Sequence, residues 1–205
     1  MAVSCEIPPQ DSLERESILM TTGIGILTPL RYMIFFRKYR NLYILMLIAC
    51  SLFISGCGKP PMLIAPEEVW EVVSREGEKH NINPSFIFAI AFAESRFDAH
   101  ADSPYARGMM QISKIAWREV SELSYRKAWD WRRNIEVGTN YLAHNRTLLQ
   151  KHRHFSYPLL AASYRYGFYT VKKSGFDIQK IKSPKNKTYQ QLFAGTINTV
   201  AAPNK

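Results

Sequence analysis

Glu94 is the residue with the clearest capacity for chemistry. It follows an almost wholly apolar run, Phe86-Ile87-Phe88-Ala89-Ile90-Ala91-Phe92-Ala93. A carboxylate carried into such surroundings loses its water, and the usual relief is a raised pKa. A carboxyl group that keeps its proton near neutral pH is what a general acid requires. The ordinary alternative is a glutamate at a helix end that reaches water or pairs with Arg96. Two further carboxylates, Asp98 and Asp102, follow closely. Asp98 would share the face of Glu94 only if the helix continued past it, so its expected role is to close a turn.

The elements that must position Glu94 read as helices. Asn83 can cap one, with Pro84 in its first turn and an end near Phe97. Its apolar run predicts burial on most of its surface. Upstream, Pro66-Glu67-Glu68 opens a helix with acids in its first turn and an apolar face of Val69, Trp70, Val72 and Val73. That helix is expected to reach Gly77 or Lys79, with a turn over His80 to Asn83. Downstream, residues 98–110 read as irregular. Ser113 caps a short helix through Ile115, Trp117 and Val120, with Trp117 in the core. Asp130 caps a longer one, whose Ile135, Leu142 and Leu149 repeat every seven residues as a buried stripe. Its basic end, Lys151-His152-Arg153-His154, complements the helix dipole, and two histidines so spaced do not make a metal site. Pro158 to Gly167 reads as a helix with a small-residue packing face and Gly167 as its C-cap. Residues 180–187 read as a loop.

The residues after Glu94 carry a specific pattern. From Glu94 to Gln111 the chain resembles the soluble-lytic-transglycosylase signature, roughly E-S-x-F-x-x-x-A-x-S-x-x-G-A-x-G-L-M-Q. Glu94, Ser95, Phe97, Ala101, Ser103, Ala106, Gly108, Met110 and Gln111 fall on it. Met109 replaces the usual Leu, a volume-conserving change. The stretch from Ser103 to Gly108 is one residue short, lacking the Gly before Ala106. Asp130 to Leu142 resembles the family's D-x-x-x-N-I-x-x-G-x-x-Y-L helix, with Gly138 permitting close approach to the Glu94 helix. Ala162-Ser163-Tyr164-Arg165-Tyr166-Gly167 resembles A-A-Y-N-A-G, with Arg165 standing where the family has Asn. Thr188-Tyr189 faintly resembles a final helix whose Tyr reaches into the cleft.

The resemblance covers about residues 66–170 and implies a mainly α, lysozyme-like (goose-type) helical domain whose buried central helix carries the catalytic Glu. Most glycosidases use two carboxyl groups. The resemblance implies one: Glu94 as both acid and base, with the 2-acetamido group of the substrate assisting. The implied substrate is the glycan strand of peptidoglycan, and the implied product a 1,6-anhydromuramoyl end. Ser103, Met110, Gln111 and Tyr164 are the implied substrate-binding residues, and Ser95 supports the active-site loop. Met110 is also expected to pack beneath the Glu. No metal or cofactor is implied. Two alternatives stand beside this reading: a lysozyme-type hydrolase on the same fold, and a non-catalytic peptidoglycan-binding protein.

Composition and leader bound the setting. The 205 residues carry a net charge of +10 and are 46% hydrophobic, which excludes a disordered chain. A basic balance suits nucleic acid, anionic lipid or an acidic polymer. The absence of zinc-finger, phosphate-loop and RNA-binding signatures argues against nucleic acid. All cysteines, Cys5, Cys50 and Cys57, lie in the first third. Basic Arg37-Lys38-Tyr39-Arg40 precedes the apolar stretch Leu42 to Ile54, the length of a signal-peptide core and short for a spanning helix. Ile54-Ser55-Gly56-Cys57 resembles the lipobox of bacterial lipoproteins, which implies cleavage before Cys57 and lipid on its sulfur. A short membrane anchor with an incidental cysteine is the alternative. The expected layout is an upstream extension (1–32), a signal peptide (33–56), a lipidated tether (57–65) and the catalytic domain (66–200). The product would be a monomer on the periplasmic face of the outer membrane.

Overall fold

The computed structural model describes residues 60–203, with Ile44 alone before them. The expected leader, Cys57 and its lipidation lie outside the described residues. No described helix is long and apolar enough to cross a membrane.

Asn83 and Pro84 start the central helix as their chemistry dictates. The Asn83 side chain accepts a hydrogen bond from the Ser85 amide, Pro84 occupies the first turn, and the helix runs Pro84–Ser95 (α2). Phe86 through Ala91 are all fully buried, so the helix is apolar all round and lies inside the domain. Each of its large side chains contributes about 1.5–3 kcal/mol by leaving water. The preceding helix, Pro66–His80 (α1), buries Val69, Val72 and Val73. Trp70 is half-buried and meets the Phe88 ring edge-on at 5.3 Å.

After α2 comes a two-stranded antiparallel hairpin, Ala106–Arg107 (β1) with Ile112–Ser113 (β2). This small sheet stands in a stretch that reads as irregular in sequence, because two-residue strands leave no periodic pattern to detect. Helix Lys114–Val120 (α3) is capped by the Ser113 hydroxyl, and a 3₁₀ turn covers Tyr125–Trp129. Helix Trp131–Lys151 (α4) is capped by Asp130 and buries the Ile135, Leu142, Leu149 stripe completely. Helices Tyr157–Tyr166 (α5), Phe168–Lys173 (α6) and Lys187–Phe193 (α7) follow, with a 3₁₀ turn at Ile178–Lys180. His152 and His154 pack on aromatic rings, His154 stacking on Phe176 at 4.3 Å.

The helices close a circuit: α1 packs on α2, α2 on α7, α7 on α5, α5 on α4, and α4 back on α1. This is a mainly α, lysozyme-like arrangement around a buried helix. Gly138 lies where α4 passes the hairpin, and a Cβ there would fall 2.5 Å from the Met110 sulfur. At Gly108, φ is +76° and a Cβ would run into the Ala128 carbonyl and the Asn134 amide. Only glycine meets both the conformation and the space.

Candidate active site

Helix α2 stops immediately after Glu94 and Ser95. Arg96 and Phe97 take left-handed φ values of 56° and 67°, and Arg96 donates its amide to the Phe92 carbonyl. Such backbone costs energy in a non-glycine residue and persists where packing holds it. Here Phe97 is buried, with Phe88 at 4.7 Å and Phe92 at 5.4 Å. The sharp exit leaves Glu94 on the floor of a cleft of about 520 Å³, whose wall includes Asp98, His100, Asp102 and Gln111.

The Glu94 side chain is only 6% exposed, and two other helices hold its carboxylate. From α7, the Tyr189 hydroxyl donates to Oε1 at 2.5 Å. From α5, Arg165 Nη1 donates to Oε2 at 3.0 Å and to Oε1 at 3.2 Å, while 44% of the arginine side chain faces solvent. The sequence offers Arg96 as a partner, but the left-handed turn sends the chain away from Glu94, and Arg165 takes that place. Burial pushes the Glu94 carboxyl above its ordinary value, against the charge of Arg165 and the hydrogen bonds from Tyr189 and Arg165. Burial and then the charge of Glu94 push the phenols of Tyr189 and Tyr164 far above their usual value, so both hydroxyls stay protonated donors.

Tyr189 reaches Glu94 because the final helix is pinned to the central one. Asn186 caps α7 by accepting the Tyr189 amide, and its own amide donates to the Ala93 carbonyl at 3.0 Å. Tyr189 is itself fully buried. The sequence signal for it is a single Tyr in a weakly matching segment. Nothing in the local sequence ties residue 189 to residue 94.

The other expected site residues divide by position. Gln111 lines the cleft, and its side-chain amide bridges the Ala101 and Gly108 carbonyls at 2.9 and 3.1 Å. Ser103 closes a turn with both its hydroxyl and its backbone on Ala106. Met110 is fully buried against Gly138 and offers no surface to a ligand. Tyr164 donates its hydroxyl to the Met110 carbonyl at 2.7 Å. Ser95 meets the loop through its backbone, its carbonyl accepting the Asp98 amide at 3.3 Å, while its hydroxyl turns back to the Ala91 carbonyl within α2 at 3.4 Å.

Asp98 organises the loop that follows. Its Oδ1 accepts the His100 amide and the Met62 amide, both at 2.8 Å. Around that pair, Ile64 donates to the Phe97 carbonyl and Ala99 to the Met62 carbonyl. The His100 ring meets the Pro60 carbonyl at 2.8 Å. The tether residues 60–64 are therefore laced to the loop beside Glu94 rather than free of the domain. An Asp98→Ala change removes the shared acceptor and is expected to lower stability by about 2 kcal/mol, whereas Asp98→Asn keeps an oxygen there and costs less. Urea unfolding of the two variants measures the difference. Equal losses would mean that Asp98 does not act through these amides.

A buried amide braces the site from below. Asn134 on α4 is wholly buried. Its Oδ1 accepts the Met110 amide at 2.7 Å, and its Nδ2 donates to the Arg107 and Ala128 carbonyls at 3.0 Å each. The side chain ties the hairpin, the 3₁₀ turn and α4 together, and through Met110 it reaches Tyr164.

Known proteins resemble this chain in sequence and in fold. A family model described as "Transglycosylase SLT domain" matches residues 71–192. By structure the chain is similar to an inactive Glu-to-Gln mutant of lytic transglycosylase Slt from Pseudomonas aeruginosa, with 24% sequence identity and a TM-score of 0.50. That likeness covers 62% of this chain and 22% of the Pseudomonas chain, and it speaks for the fold. No curated protein matches the sequence.

Proposed function

The chain belongs to the transglycosylase SLT domain family, and from that premise we propose that it is a peptidoglycan lytic transglycosylase with Glu94 as its acid and base. The observation that carries this reading is the Glu94 carboxyl itself. It sits on a cleft floor with 6% exposure, is raised in pKa by burial, and is fixed by Tyr189 and Arg165. Among the described residues, the charge that acts on it is that of Arg165. A retaining glycosidase would place a second carboxyl about 5–5.5 Å away and the two would interact strongly.

In the proposed reaction, protonated Glu94 gives its proton to the oxygen linking N-acetylmuramic acid to N-acetylglucosamine. The bond from that oxygen to muramoyl C1 breaks, and the 2-acetamido group of the sugar supports the positive charge on the ring. The muramoyl C6 hydroxyl then attacks C1 and returns its proton to Glu94. Glu94 ends as it began, and no water is consumed. Gln111 presents the cleft wall to the sugar. Ser103 shapes the loop, and Met110 with Tyr164 supports the floor from behind. The same reading places lipid on Cys57, anchors a monomeric domain to the periplasmic face of the outer membrane, and takes residues 66–200 as the catalytic domain.

Tyr189 tunes this acid. Its hydrogen bond favours the ionised form of Glu94, so Tyr189→Phe raises the Glu94 pKa further. A general acid acts while protonated. The alkaline limb of kcat/KM is therefore expected to move to higher pH in Tyr189→Phe, as measured by muropeptide release across pH. A limb that stays in place or moves to lower pH would show that Glu94 is not the group titrating.

The direct test is mass spectrometry of products from purified peptidoglycan digested by the full chain in detergent. Anhydromuropeptides support the transglycosylase reading. A second reading, hydrolysis with water as nucleophile, is favoured by one observation: Asp98 and Asp102 line the same cleft as Glu94. Reducing muramic ends, with loss of turnover in Asp98→Asn or Asp102→Asn, would move hydrolysis to first place.

A further inference from the structure

Arg165 poses a conflict that the reaction must resolve. A guanidinium sharing Nη1 between both oxygens of Glu94 stabilises the carboxylate, yet the first step needs the carboxylic acid. Glu94 is faced by Arg165 and Tyr164 from α5 and by Tyr189 from α7, and the cleft wall adds Arg96, Asp98, His100 and Asp102. Of these, the positive charge bonded to Glu94 is Arg165. Its hydrogen bonds among the described residues come from Nη1 alone, and nearly half of its side chain faces solvent. The other donors of the guanidinium are therefore available to a second anion arriving in the cleft.

The transglycosylase reading, on which this inference rests, fixes where such an anion would lie. Glu94 must touch the glycosidic oxygen on muramoyl C1, so Arg165, bonded to Glu94, lies against the two sugars that this oxygen joins, of which only the muramoyl ring can carry an acidic group. That ring carries a lactyl group on O3. In peptide-bearing strands the lactyl carboxyl is tied up as a neutral amide; in strands stripped of peptide it is a free carboxylate. The carboxylates of an attached peptide begin at least one residue further out, about 3.5 Å or more of chain. The nearest anion that the substrate can offer Arg165 is the free lactyl group.

We infer that Arg165 is a specificity-determining residue: its guanidinium leaves Glu94 for the free lactyl carboxylate of the muramoyl unit being cut, so that peptide-free strands are cut in preference to peptide-bearing ones. Arginine suits the exchange, since its planar fork binds either carboxylate with charge-assisted hydrogen bonds. Once the arginine has gone, Glu94 is a carboxylate in a site with 6% exposure and no cation bonded to it. Burial then favours uptake of a proton. Anion binding and protonation of Glu94 become coupled, each assisting the other to the same extent. The substrate that occupies Arg165 thereby arms the acid that cuts it.

The experiment compares three substrates with the full chain in detergent: peptide-free glycan strands, the same strands with the lactyl carboxyls converted to methylamides, and peptide-bearing strands. Anhydromuramoyl ends are counted, each variant at its own pH optimum. The expected result is a kcat/KM about tenfold higher on free-carboxylate strands than on methylamidated ones, equivalent to about 1.4 kcal/mol, shared between KM, through the bound carboxylate, and kcat, through protonation of Glu94. Arg165→Gln is expected to bring the ratio to about one, and Arg165→Lys to keep part of it, with thermal unfolding showing both variants folded. Equal turnover of charged and methylamidated strands by the unaltered protein would overturn the inference. So would a preference that survives Arg165→Gln. Either result still leaves anhydromuramoyl products in evidence, whereas their absence from every substrate would remove the transglycosylase reading itself.

Discussion

Replacing Glu94 by Gln is expected to lower the release of anhydromuropeptides by roughly 10²–10⁴-fold, the range attached to loss of a positioned general acid and base. The isosteric amide keeps the volume and can still accept from Tyr189, so the fold should survive and the loss should fall on kcat rather than on strand binding. Stability supplies a second readout with a definite sign. The folded-state pKa of Glu94 is raised above its unfolded value, first by burial. The protonated side chain therefore suits the folded state, and its contribution to stability is present at pH below the unfolded pKa and lost as pH rises through the folded pKa. The substituted glutamine has no proton to lose. The stability of Glu94→Gln relative to the unaltered protein should consequently rise with pH from the ordinary carboxylate range and level off above the Glu94 pKa. Urea denaturation at a series of pH values measures it. Full activity in this variant would remove Glu94 from the chemistry, and a flat stability difference would contradict the raised pKa.

Asn134→Ala is expected to be the most damaging single change to the fold that supports the site. Alanine leaves the Met110 amide and the Arg107 and Ala128 carbonyls without the partner that now serves all three. Each buried polar group left unsatisfied costs about 1–3 kcal/mol, so a total of about 4 kcal/mol is expected. For a domain of this size that lowers Tm by about 10 °C or more. Activity should fall with it even where the protein remains folded, because Met110 then no longer holds Tyr164 through a braced backbone. Thermal and urea unfolding test the first statement. A loss below about 1 kcal/mol would mean that water replaces the amide, a replacement that the complete burial of Asn134 opposes.

Much of the architecture is legible in the sequence because it depends on local chemistry. Asn83, Ser113 and Asp130 cap their helices with their own side chains, and a cap acts over two or three residues, within reach of a sequence pattern. The seven-residue stripe of α4 and the unbroken apolar run of α2 announce burial by composition alone. The loop is harder to read. The motif implies that Ser103 and Gln111 contact sugar, yet both spend hydrogen bonds on the backbone around them. A motif preserves both kinds of residue in the same way, and its letters do not separate them. Asn134 matches the pattern as one letter among several, and its three partners lie 6, 24 and 27 residues away.

Residue types and their short-range spacing suffice to make this chain a helical domain of the transglycosylase SLT family, with one glutamate at the end of a buried apolar helix. Capping, periodic burial and desolvation all act within a turn or two of chain, so they leave their mark in the order of the residues. What that glutamate meets is a matter of tertiary packing. Arg165 and Tyr189 reach it across separations of 71 and 95 residues, brought together by the closed circuit of helices and by the Asn186 bond to Ala93. A carboxyl pKa depends on the charges and donors within a few ångströms of it, and which residues occupy that space is a property of the folded chain.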